Sequence, residues 1–272
     1  MTRSKNQIAV LGCGWLGLPL AEALIHEGYT VKGSTTRESK MTQLSQKGIT
    51  PFCINAREGD LVGPAAHFLE NCHILIINIP PGLRKAPERD FTRVLVPVLD
   101  AAENAGIRHI LYISSTSVFP DREQTYTETD PFEPDTRTGR QLQAAEHLVM
   151  SQKSGTDHTV LRFGGLLGGD RHPVTFLSGR NELKGANNRI NLIHRDDCIR
   201  IILGIITKNL WGYTLHGVAP CHSSKKAYYT HAAEQMQLSP PQYSDDPSGK
   251  SKLISTAYTD RLLEQHYLHP LC

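Results

Sequence analysis

Three glycines stand at a spacing suited to holding a phosphate. Gly12, Gly14 and Gly17 fall in Ile8-Ala9-Val10-Leu11-Gly12-Cys13-Gly14-Trp15-Leu16-Gly17, after an apolar run and at the start of a segment with helical spacing. Gly12 permits a tight turn, Gly14 lets the backbone approach a pyrophosphate, and Gly17 allows close packing of helix on strand, while the helix N-terminus favours the phosphate charge. With Trp15 and Leu16 they are the expected dinucleotide-binding residues. The bare pattern is weak, and it gains weight from the strand before it and the helix after it.

The end of the second apolar run indicates which dinucleotide is expected. It reads Gly33-Ser34-Thr35-Thr36-Arg37, without the carboxylate that would grip the 2′-hydroxyl of NAD. The hydroxyls of Ser34, Thr35 and Thr36 with the guanidinium of Arg37 suit a 2′-phosphate, because arginine offers bidentate, charge-assisted hydrogen bonds. The expected cofactor is NADP, with NAD left open. The competing reading of Thr35, Thr36 and Arg37 is a helix N-cap and a solvated charge.

These residues need a scaffold, and the runs Ile8–Leu11, Thr30–Gly33, Thr50–Ile54, His73–Ile79, His109–Ser114 and His158–Phe163 read as buried parallel strands. Leu16–Glu27 and Phe91–Ala105 carry apolar residues at helical spacing and stop at Gly28 and Gly106. Right-handed crossovers then require an α/β, Rossmann-type doubly wound parallel sheet, with its ligand crevice at the carboxyl ends of the strands. The core is expected over residues 1–163. A small substrate-side lobe is expected over 164–272, with 191–218 returning to the core. There Asp196 and Asp197 are expected to cap a helix through Ile205, Tyr213–Val218 reads as a returning strand, and Lys225–Met236 as a helix. The segments Gly164–Arg189 and Ser239–Ser251 are expected in the lobe.

Hydroxyls gather in Tyr112-Ile113-Ser114-Ser115-Thr116-Ser117-Val118-Phe119-Pro120, at the end of the fifth strand. With the glycine turn, Leu161-Arg162-Phe163-Gly164-Gly165 and Asn191-Leu192-Ile193-His194-Arg195-Asp196-Asp197, this run resembles the extended short-chain dehydrogenase/reductase superfamily, the NAD-dependent epimerase/dehydratases. The likeness covers nearly the whole chain. Gly14-Trp15-Leu16-Gly17, the serine run and Gly169-Asp170-Arg171-His172-Pro173 further resemble the YeeZ-like group of atypical members. The resemblance implies an oxidoreductase or epimerase-like enzyme acting on a small polar, sugar-derived substrate. It puts Ser115 in the place of the active-site hydroxyl, although a strand-end serine that satisfies backbone groups reads equally well. Arg162, Arg171, His172 and Arg180 fall where such folds line the substrate cleft.

The chain departs from that family at its acid–base pair. Active members carry Tyr-x-x-x-Lys, in which the ammonium lowers the phenol pKa. Here Thr138 stands where Tyr belongs and Leu142 where Lys belongs, and none of the nine tyrosines has lysine four positions later. A threonine hydroxyl is too weak an acid to carry the proton unaided. Arg140 offers positive charge on the same helix, and Tyr126 a phenol from the loop before it. The loss supports an alternative reading, a non-catalytic sensor that binds NADP(H) and reports its state.

Composition narrows the partners. With 29 basic against 27 acidic residues the formal charge is +2, which argues against nucleic acid or an anionic membrane and for a small-molecule substrate. No apolar run reaches membrane-spanning length. The six scattered cysteines form no Cys-x-x-Cys pair and read as reduced thiols, which predicts a cytoplasmic protein. Association as a homodimer stays open. No His-Glu-x-x-His or compact Cys/His spacing is present, so no metal site is expected, and His194 reads as structural. No Gly-x-Ser-x-Gly elbow is present either.

Overall fold

A computed structural model describes residues 7–83, 86–152, 157–244 and 251–272. Residues 245–250, in the Pro/Ser-rich segment, lie outside them. Seven strands form the central sheet: β1 (Gln7–Leu11), β2 (Thr30–Thr35), β3 (Thr50–Cys53), β4 (Cys72–Ile77), β5 (His109–Ser115), β6 (Thr159–Phe163) and β7 (Thr214–Gly217). Their order is β3-β2-β1-β4-β5-β6-β7, and the pairings from β3 through β5 are parallel. The order reverses at β1, between β2 and β4, which is where a doubly wound sheet opens its crevice. β2 runs to Thr35, two residues past the expected end, so Ser34 and Thr35 are strand residues and both are buried.

The longer helices are α1 (Gly17–His26), α2 (Phe91–Asn104), α3 (Arg137–Met150), α4 (Arg195–Thr207) and α5 (Lys225–Gln235). The α2 helix shows how the sequence settles its own conflicts. Asp90 caps its start by accepting from the N–H groups of Thr92 at 2.9 Å and Arg93 at 3.3 Å. Pro97, inside the helix, has no N–H for the carbonyl of Arg93, and Gly59 donates to that carbonyl instead at 2.9 Å.

The chain divides into two compact units, one of Met1–Ser114, Thr136–Leu161 and Ile205–Thr214, the other of Ser115–Asp135, Arg162–Gly204 and Leu215–Cys272. The first has a core of Ala9 and Leu11 from β1, Leu75 and Ile77 from β4, Val94, Leu95 and Val98 from α2, and Ala145 and Val149 from α3. The second packs Leu167, Val174, Ile190 and Leu192 against Tyr229 and Ala233 of α5, with Leu271 laid on them.

Two expectations need correction in the second unit. Asp197 does not cap α4. It sits within the first turn, and its buried carboxylate accepts from the N–H groups of Leu268 at 2.7 Å and His269 at 3.2 Å. Nor are all six cysteines free thiols: Cys221 and Cys272 are joined across a Cα–Cα distance of 5.5 Å, while Cys13, Cys53, Cys72 and Cys198 are unbridged. Both corrections have one cause, the return of the C-terminal tail, which no local pattern announces. Among the described residues, no helix is long and apolar enough to cross a membrane.

The Asp90 cap is testable alone. Asp90→Ala should cost about 1 kcal/mol of unfolding free energy, read from the urea midpoint at an unchanged m-value.

Candidate functional site

The glycine turn is held from three sides. Gly12 has φ +105°, and its N–H donates to the hydroxyl of Ser34 at 2.9 Å. The amide of Asn78, just past β4, donates to the Gly12 carbonyl at 3.0 Å. A Cβ on Gly17 would stand 2.1 Å from that same carbonyl, so α1 approaches the turn as closely as only glycine allows. Cys13 packs beneath the turn on Gly33, and burial pushes its thiol up to about 12, which leaves it inert filling.

Gly14 is the opposite case. It is exposed, and a Cβ there would meet nothing within 4 Å, so space lies open above the turn. No side chain caps α1, because Leu16 stands at its N-cap, and its first turn holds no acid. By contrast Asp90, Thr136 and Ser224 cap α2, α3 and α5. An uncapped helix start facing open space over Gly14 fits the pyrophosphate of a dinucleotide. Trp15, half-buried, and Leu16, buried, complete the turn.

At the end of β2 the four nominated residues divide. Ser34 is engaged with Gly12, and the Thr35 hydroxyl accepts from the N–H of Arg37 at 3.3 Å. Thr36 and Arg37 are exposed. Arg37 precedes a short 3₁₀ turn and its side chain caps nothing there.

At the end of β5, Ser114 turns inward and donates to the buried carboxylate of Glu146 on α3 at 2.6 Å. Ser115 ends the strand, and its hydroxyl accepts from the N–H of Ser117 at 3.1 Å, capping the 3₁₀ turn Thr116–Val118. On α3, Thr138 is exposed in the first turn, Arg140 is exposed, and Leu142 is buried.

The second unit treats its nominated residues unequally. Arg162 is buried, with its guanidinium 4.9 Å from the ring centre of Phe119 and 5.0 Å from that of Phe132, and it faces Nε2 of His216 at 3.4 Å. It packs inside the unit, stacked on rings, rather than presenting charge to solvent. Tyr126 is also fixed, buried and stacked on Phe119 at 4.6 Å, so it is not a swinging phenol. Arg171 and Arg180 are exposed, and His172 faces the hydroxyl of Tyr228 at 3.3 Å. A cavity of about 260 Å³ in this unit is lined by Thr125, Asn191, His222, Ser255 and Asp260 among others, and by none of the nominated residues.

His216 is fully buried. Its Nδ1 lies 2.9 Å from the carbonyl of Ser255, which can only accept, so Nδ1 carries the proton and Nε2 takes the Arg162 contact. Burial, with the neighbouring guanidinium adding to it, brings the imidazole down to about 4.

Asn78 and Glu146 carry no functional signature in the sequence. A single asparagine after an apolar strand, or a glutamate on an amphipathic helix, gives no signal until the fold supplies its partner.

Against known proteins, a family model described as NAD(P)H-binding matches residues 12–209. Protein YeeZ of Escherichia coli K12 is 30% identical over 268 residues, which cover 97% of each chain. A Methylobacillus flagellatus structure whose name places it with the NAD-dependent epimerase/dehydratases superposes with TM-score 0.78 at 24% identity, covering 98% of this chain and 94% of that one. UDP-glucuronic acid 4-epimerase of Bacillus cereus, in complex with NAD, gives 0.78 at 16% identity, covering 97% and 93%. At these identities the structural likeness speaks for the fold.

Two expectations follow from the geometry. Gly17→Ala should cost about 3 kcal/mol, since a methyl group cannot share space with the Gly12 carbonyl, whereas Gly14→Ala should leave the thermal midpoint nearly unchanged. For His216, the unfolded chain takes up a proton near pH 6.5 while the native one resists to about 4, so stability falls as pH drops through that window. Urea midpoints at pH 7 and pH 4.5 should show His216→Asn losing less of its stability on acidification than the wild type, by about 2 kcal/mol.

Proposed function

We propose that this chain, which belongs to the NAD(P)H-binding family and matches protein YeeZ over nearly its whole length, is an NADP(H)-dependent oxidoreductase or epimerase-type enzyme acting on a small polar, sugar-derived substrate. The fold is that of the NAD(P)-binding epimerase/dehydratases. The observation that carries the choice of NADP is the end of β2, where no carboxylate stands and where Thr36 and Arg37 are exposed. In this reading Gly12, Gly14 and Gly17, with Trp15 and Leu16, hold the pyrophosphate. Ser34 shapes the turn through Gly12, and Thr35, Thr36 and Arg37 form the 2′-phosphate end. When bound, the nicotinamide supplies or takes up a hydride.

The substrate class is carried over from neighbours such as the Bacillus cereus enzyme, whose name states a nucleotide sugar. Arg171 and His172 are the groups offered to an anionic part of such a substrate. Ser115 is the hydroxyl offered to the reacting oxygen. Thr138 cannot act as the family's tyrosine does, because the lysine that would lower its pKa is replaced by a buried leucine.

The same leucine favours a second reading, a non-catalytic NADP(H) sensor. An aliphatic side chain on the inner face of α3 supplies neither a proton nor a charge.

Calorimetric titration with NADPH, NADP⁺, NADH and NAD⁺ should show preference for the phosphorylated pair, and Arg37→Ala should weaken that pair alone by tenfold or more, the order expected for a charge-assisted contact. No binding to any of the four would sink both readings. If NADPH binds, a panel of carbonyl compounds and nucleotide sugars separates them. An enzyme consumes NADPH with one of the panel and slows on Ser115→Ala, while a sensor binds without turnover.

A further inference from the structure

The second unit holds a cluster that sequence spacing hides. His194 ends the short strand Leu192–His194, Asp196 lies in the first turn of α4, and His269 sits in the C-terminal tail. One donor atom from each lies within 4.8 Å of the others, and among the described residues no other group of three or more His, Cys, Asp or Glu side chains comes together in this way. The Oδ2 of Asp196 stands 3.6 Å from Nδ1 of His194 and 3.5 Å from Nε2 of His269. Its other oxygen faces Arg195 at 3.8 Å, which leaves Oδ2 to the two imidazoles.

His269 is brought there by design of the surrounding chain. The buried carboxylate of Asp197 accepts the N–H of Leu268 and of His269 itself, Leu271 packs on the core of the unit, and Cys272 is tied to Cys221. The tail is therefore fixed by interactions independent of the cluster, and the imidazole is presented rather than dangling.

We propose that His194, Asp196 and His269 bind a divalent transition-metal ion of the zinc class, fastening the C-terminal tail to the start of α4. The donor set is two imidazole nitrogens and one carboxylate oxygen, the set zinc takes with one position left open. Bond lengths of about 2.0–2.1 Å place tetrahedral donors about 3.4 Å apart and octahedral neighbours about 3.0 Å apart. The separations of 3.5 and 3.6 Å from Asp196 suit the tetrahedral case. The side chains of Asp196 and His269 are 47% and 42% exposed, so an ion can enter and a water can complete the shell. The ion displaces the N–H of Asp196 from Nδ1 of His194, where it stands at 3.2 Å, and the two imidazole rings, whose centres lie 3.7 Å apart, must swing open around it. Magnesium or calcium is disfavoured by the two nitrogen donors.

The test uses the full chain stripped with a chelator. Zinc titrated in competition with a chromophoric chelator should bind at one ion per chain, and cobalt(II) should give the intense visible bands of a four-coordinate site. Binding should weaken at least tenfold in His269→Ala and in Asp196→Asn, and should be unchanged in His266→Ala, a neighbouring exposed histidine outside the cluster. Circular dichroism of each variant checks that loss of metal is not loss of fold, and the cobalt spectrum of the wild type decides the geometry without any variant. No zinc uptake at micromolar concentrations, an octahedral cobalt spectrum, or undiminished binding in both substituted chains would overturn the proposal.

Discussion

Everything in the first unit hangs on one close approach. The carbonyl of Gly12 occupies the place where any Cβ on Gly17 would be, so α1 starts against the end of β1 rather than a side chain's width away. That carbonyl accepts from the amide of Asn78 at the end of β4, and the N–H of Gly12 donates to the hydroxyl of Ser34 at the end of β2. Three neighbouring strands are thus tied at their carboxyl ends to a single residue. The aim of the helix start, which no side chain caps, follows from this knot rather than from helix propensity. The apolar packing of β1 and β4 on α2 and α3 supplies the stability, but it does not choose where the glycine turn opens.

The sequence showed those parts of the molecule whose physics is local. Buried strands are short apolar runs, glycine turns need particular residue types at fixed offsets, and helix ends carry their own caps, so the sheet, the turn and most helices could be read in advance. What could not be read depends on partners distant along the chain. That the Ser34 hydroxyl accepts from the N–H of Gly12, 22 residues earlier, is not visible along the chain. Nothing beside Arg162 in the sequence announces that Phe119, Phe132 and His216 enclose it. The tail is the extreme case, since its disulfide, its bond to Asp197 and the meeting of His269 with His194 all depend on a chain return that has no period and no motif.

The same reasoning separates binding from chemistry in this protein. Binding a dinucleotide needs backbone geometry, and on the proposed reading the glycine turn, with Gly12 at φ +105° and Gly17 against the Gly12 carbonyl, supplies it. Transferring a proton needs a group of tuned acidity, whereas the buried residues of α3 are committed to packing: Leu142, Ala145 and Val149 face the core, and the carboxylate of Glu146 accepts from Ser114. Putting lysine at position 142 would bury an ammonium among apolar side chains, a cost of several kcal/mol, and position 138 would still lack the phenol. The inner face of α3 is therefore scaffolding. On the proposed catalytic reading, the hydroxyl of Ser115, at the end of β5, is the family feature on which chemistry would most depend.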